Sequence, residues 1–190
     1  RQWTAVNRQS EDAAQVIEAG LDLMVSETSY TPKASDLRDL AIPLPFLTET
    51  ETIRRLVRRF DSHQGLVRHL SATVDHVDLE LRLAHSDSRY DFERSRSRLI
   101  GLWLEVADLR ELAVRAESWA LIYSALIDID PSGALERTDR LHTETGQQLD
   151  ETLERLLNST ADHENLTRGC IRALAHRRPQ WALRLASMLN

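Results

Sequence analysis

Two long ladders of apolar residues run through the middle of the chain. The first is Ile53, Leu56, Phe60, His63, Val67, Leu70, Val74, Val77, Leu81 and Ala84. The second is Phe92, Ser95, Leu99, Leu102, Val106, Leu109, Ala113, Ala116, Ala120, Tyr123 and Ile127. Steps of three and four alternate throughout. That is the 3.5-residue repeat of helices packed along a seam. It predicts an all-α fold, an elongated bundle of long antiparallel helices joined by short turns. Only six glycines and five prolines in 190 residues agree, because an all-β chain needs many turns.

The ladders divide the chain. Residues 1–48 read as an N-terminal helix, about 4–27, followed by a proline-containing connection. Val6, Ala13, Ile17, Leu21 and Met24 fall on one side of that helix. The connection carries Pro32, Pro43 and Pro45 around a short amphipathic piece, Asp36 to Ile42. Its Leu37, Leu40, Ile42, Leu44 and Phe46 mark it as packed, since a disordered linker would not carry so many large apolar groups. Residues 49–130 read as a long antiparallel hairpin. Thr48 and Glu51 suggest a capping box with Leu47 as staple. The helix after it would reach about His85, on the order of 55 Å. The polar stretch 85–89 suits the turn, and the third helix follows over about 91–127. Residues 131–190 read as C-terminal helices packing on or extending the bundle. Thr138, His142, Thr145 and Gly146 interrupt the apolar stripe of the fourth helix and predict that it is less buried.

Composition narrows the function classes. A formal charge of −6 argues against a nucleic-acid binder driven by bulk charge. No apolar run approaches a membrane span, and no signal peptide is visible. The chain begins at Arg1, which reads as a fragment of a longer polypeptide. Cys170 is the lone cysteine, which leaves no internal disulfide and no cysteine-based zinc site. A cytoplasmic location fits best. The chain contains no G-x-S-x-G, no H-E-x-x-H and no phosphate-binding glycine loop. The expected class is a non-enzymatic interaction module, with a calcium-responsive regulatory module or a helical ligand-binding or enzymatic bundle whose site is not visible in sequence as alternatives. The expected partners are other proteins met through helix surfaces, with a homodimer also open.

Three groups of residues stand out as candidate sites. Arg54, Arg55, Arg58 and Arg59 form a basic band that could dock an acidic partner or lie solvated beside Glu49 and Glu51. Trp181, Leu185, Met188 and Leu189 near the end of the chain could anchor a partner or pack on the bundle, tryptophan being enriched at interaction hot spots. Trp103 and Trp119 read as packing residues of the third helix. The histidines His63, His69, His76 and His85 lack ligand spacing and read as a solvated face, with His63 on the ladder at a buried or edge position. No cofactor is expected, with calcium as the one open case.

That case rests on the segment after the third helix. Asp128, Asp130, Ser132, Gly133, Glu136 and Asp139 follow the spacing of the twelve-residue EF-hand loop, which this segment resembles. The resemblance implies a calcium site with Asp128, Asp130, Ser132, Glu136 and Asp139 as side-chain ligands. The same Asp-Pro and Gly equally suit a capped turn between helices. A second resemblance covers residues 53–123. The long spacing from Leu56 to Val77, with Phe60 and His63 early in it, resembles the B helix of a spectrin repeat. Leu99-Ile100-Gly101-Leu102-Trp103 and Val106 resemble the segment around that family's C-helix tryptophan. What this implies is a scaffold that spaces or docks other proteins.

Overall fold

The computed structural model describes residues 2–26, 33–67, 74–129, 136–158, 164–187 and 189, excluding the side chains of 2–8, 64–67, 136–142 and 164–166. The described residues form nine α-helices and one 3-10 turn, and no strand occurs among them. The helices are α1 (Gln2–Ser26), α2 (Ala34–Ala41), α3 (Thr50–Val67), α4 (Val74–Asp87), α5 (Phe92–Ala107), α6 (Leu112–Ile129), α7 (Glu136–Leu157), α8 (Glu164–Leu174) and α9 (Pro179–Ala186). The all-α expectation is met. Packing divides the chain into two compact units, Arg1–Leu99 and Ile100–Asn190, with the boundary inside α5.

In the first unit the core joins Ile17 and Leu21 of α1, Leu37 of α2, Ile53, Leu56 and Phe60 of α3, and Leu79 and Leu83 of α4. The connection between α1 and α3 packs as expected at Leu37 and Leu44, both buried, and Leu47 is buried beside them. Ile42 and Phe46 differ from expectation and are exposed. Pro43 precedes and Pro45 lies within a 3-10 turn, Leu44–Phe46, that turns Leu44 in and leaves Ile42 and Phe46 out. Thr48 does not cap α3. Its amide and hydroxyl instead donate to Ser10 Oγ on α1, at 3.1 and 3.3 Å. The first helical bond of α3 is accepted by Glu49 O, from Ile53 N at 3.0 Å.

Four polar ties fix α1 against α3. Ser10 meets Thr48, Glu18 meets Arg55 at 2.5 Å, Asp22 pairs with Arg59, and Leu21 O lies 3.1 Å from His63 Nε2. The partners ascend together along both helices, so α1 and α3 run parallel. His63 is buried as its ladder position suggests, and its Nδ1 lies 2.7 Å from Arg59 O.

Both long helices expected from the ladders prove to be two shorter ones. Arg98 bonds Asp61 on α3 and Glu80 on α4 with one guanidinium. On one straight helix those residues would lie about 28 Å apart. Here α3 and α4 sit side by side. The second ladder breaks at residues 108–111, between α5 and α6. The rings of Trp103 and Trp119 meet edge-on at 5.5 Å, where one continuous helix would hold them about 24 Å apart. Neither glycine nor proline marks this break. What compensates for it is the complete burial of Trp119, among the largest apolar surfaces a residue can bury. The ladder positions still mark the core: Leu99, Leu102, Val106, Ala113, Ala116 and Ala120 are buried.

In the second unit α6 and α8 run parallel. Ser124 Oγ donates to Ala173 O at 2.7 Å, and Asp128, farther along α6, pairs with Arg177 just past the end of α8. α7 and α9 do the same through Asp150 with Trp181 and Glu154 with Arg184. The expectation that α7 is less buried does not hold in its second half. Thr145, Leu149, Thr152, Leu153 and Leu156 are buried. Thr145 accepts from Trp103 Nε1 at 3.1 Å. A Cβ on Gly146 would stand 3.1 Å from the Arg178 guanidinium, which stacks over Tyr123 at 4.4 Å. Thr145 and Gly146 are therefore contact points, and the side chains of Thr138 and His142 lie outside the described residues.

Candidate functional site

The parallel pairing of α1 and α3 leaves a cleft of about 570 Å³ between the middle of α1 and the start of α3. Ser10, Glu11, Ala14, Gln15 and Glu18 line one side; Thr48, Glu49, Thr52 and Arg55 line the other. Its volume lies within the usual range for small-ligand sites, but its lining is nearly all polar. Three carboxylates face one guanidinium. Arg55 is taken by Glu18 at 2.5 Å, and Thr52 Oγ1 donates to Glu49 Oε2 at 2.5 Å. Glu11 remains exposed at the rim. The cleft is suited to a cationic group rather than an anion or an apolar ligand.

A second polar cluster lies deeper in the same unit. Arg98 donates from all three guanidinium nitrogens: Nε to Asp87 at 3.1 Å, Nη1 to Glu80 at 2.7 Å and Nη2 to Asp61 at 2.8 Å. Asp87 is fully buried and also accepts from Tyr90 Oη at 2.5 Å, while Arg94 Nε lies 3.3 Å away. Burial opposes the charge on Arg98, but Glu80 and Asp61 outweigh it and raise its pKa. Burial and then the bond to Asp87 raise the pKa of Tyr90, so the phenol keeps its proton and donates it. These groups use one another as partners, which locks α3, α4 and α5 in register.

The candidate residues from the sequence belong to three groups. Of the basic band, Arg55 and Arg59 pair with Glu18 and Asp22 of α1. Arg54 pairs with Glu51 at 2.6 Å and stacks over Tyr90 at 5.2 Å. Arg58 is exposed. At the chain end, Trp181 Nε1 donates to Asp150 at 2.9 Å while Arg184 covers its ring at 4.5 Å. Leu185 is buried, Leu189 is half-buried, and Met188 lies outside the described residues. Asp128 is exposed and pairs with Arg177. Asp130 and Ser132 lie outside the described residues, as do the side chains of Glu136 and Asp139, whose backbone is in α7. Among the described residues no group of three or more His, Cys, Asp or Glu is placed to hold a metal ion. None of the described helices is long and apolar enough to cross a membrane.

Cys170 is buried on α8 beside Glu117. Burial first, then the Glu117 charge, pushes its thiol up to about 12, so the reactive thiolate is suppressed.

No protein-family model, curated protein or solved structure matches the chain.

The cleft and the Arg98 cluster were both missed by sequence reasoning. The cleft has no local signal, since its two walls are 38 residues apart at Ser10 and Thr48. The cluster had one: Ser95 and Arg98 sit on or beside an apolar ladder, and polar groups at such positions need buried partners.

Proposed function

We propose that the chain is a non-enzymatic protein–protein interaction module, part of a larger scaffold, adaptor or subunit of a multiprotein assembly. The observation that carries this reading is the contrast between fixed polar groups and free apolar ones. Arg98, Asp87, Arg55, Arg59 and Asp150 are committed to holding helices together. Large apolar side chains on the outside, among them Val16, Leu23, Phe46 and Leu183, stand more than half exposed. A frame held by internal ion pairs that presents apolar side chains suits recognition better than chemistry.

Affinity capture from cells that contain the parent protein tests this, run once with calcium and once with chelator. The expected result is one defined partner set in both conditions, reduced when Phe46 and Leu183 are changed to serine. Recovery only with calcium would replace this reading by a calcium-responsive one built on residues 128–139.

A further inference from the structure

The exposed face of α1 is patterned. Ile17 and Leu21 point into the core. Val16, Ala19 and Leu23 repeat at the spacing of one helix face, on the other side of α1, and are exposed. Val16 and Leu23 are 61% and 62% exposed, which is too open for side chains serving the core of this unit. The stripe is bordered on one side by Gly20, where Leu40 of α2 packs so closely that a Cβ would meet it at 2.5 Å. On the other side, toward α3, lies the carboxylate-lined cleft. Glu11 and Asp12 are exposed at the N-terminal end of the stripe.

We infer that this face of α1 docks an amphipathic helix of a partner protein whose apolar side is flanked by lysine or arginine. This rests on the interaction-module reading and names the partner's chemistry. The apolar face of the partner covers Val16, Ala19 and Leu23, two helical turns that match the seven-residue repeat of a packed helix pair. A basic side chain at one edge reaches the cleft, where Glu11 and Glu49 exceed the positive charge that Arg55 offers. An acidic helix would set its carboxylates against Glu11 and Asp12, and like charges so placed cost affinity.

The test uses the whole chain and two synthetic helical peptides with identical leucine spacing, one carrying lysines and the other glutamates. Binding is followed by fluorescence anisotropy and mapped by amide chemical shifts. The lysine peptide is expected to bind at least ten-fold more tightly than the glutamate peptide, to shift residues of α1 and to weaken as salt rises. Val16→Ser with Leu23→Ser should weaken it at least ten-fold. Both positions are exposed, so the variant keeps its fold, which circular dichroism checks. Glu11→Gln with Asp12→Asn should remove the preference for lysine but leave the leucine-dependent part. Equal binding of both peptides, binding of neither, or a Val16/Leu23 variant that binds as well as the parent would overturn the inference. So would a dimer in sedimentation that the same variant abolishes, because a second copy would then cover the face. Lysine-peptide shifts confined to α9 would also overturn it while leaving the interaction-module reading intact. Failure of partner capture would count against that broader reading instead.

Discussion

Gly169 lies directly beneath the carboxylate of Glu117: a Cβ at position 169 would overlap Glu117 Oε1. Glu117 is itself buried on α6, and the atoms a Cβ at position 169 would meet belong to the end of its side chain, not to the α6 backbone. Gly169→Ala would relieve helix entropy in an open helix. In this packing it makes the Glu117 carboxylate shift, which offsets that gain, and the expected net cost is at most about 1 kcal/mol. Urea unfolding of the single variants and of Gly169→Ala with Glu117→Ala checks this. The double variant should be more stable than the sum of the two singles predicts, because the shortened side chain at position 117 leaves room for the new methyl group.

Arg98→Met removes one cation from three carboxylates. Asp87, with no exposure, loses a bond it cannot replace with water. The expected loss is about 3 kcal/mol. Asp87→Asn should cost less, since the amide oxygen still accepts from Tyr90 or Arg98. A denaturant series that ranks the two variants the other way would contradict the geometry.

Cys170 should resist thiol reagents. With the thiol pushed up to about 12, almost no thiolate exists at pH 8, and the side chain is buried. Ellman's reagent is expected to react with the folded chain far more slowly than with the chain in 6 M guanidinium. The Glu117→Gln variant should speed the reaction modestly by removing the neighbouring charge.

His85 provides a pH dependence with a defined sign. Burial, then the nearby Arg89, lowers its pKa below the ordinary 6.5. The folded state therefore favours the neutral ring. The stabilisation is fully present above 6.5 and is lost as pH falls from there through the folded value. Urea midpoints should drop between pH 7.5 and 5.5, and His85→Gln should flatten that part of the profile. Because the ring is only half-buried, the effect is small beside that of Arg98→Met.

Much of the architecture can be read from the sequence, for identifiable reasons. Ile53, Leu56, Phe60, Val77, Leu99 and Leu102 fall on the ladders and in the core, because apolar spacing records which face is buried. What the ladders do not record is where a helix stops. Residues 108–111 have the composition of a helix and end one, since the gain lies in Trp119 meeting Trp103, a contact between separate helices. The same limit hid the cleft. Arg55 and Arg59 look like a surface band until α1 brings Glu18 and Asp22 beside them. Sequence spacing describes neighbours on one helix, and these neighbours come from two.

The parallel pairing of α1 with α3 has a consequence for how the chain can be assembled. Each of the four polar ties that hold α1 in place reaches a residue at or beyond position 48: Thr48, Arg55, Arg59 and His63. Covalent continuity between α1 and α2 supplies proximity, and proximity grows only slowly more costly with loop length. Cut between α1 and α2, the polypeptide retains every one of these bonds. The first helix is thus held by side chains far along the chain rather than by its link to α2.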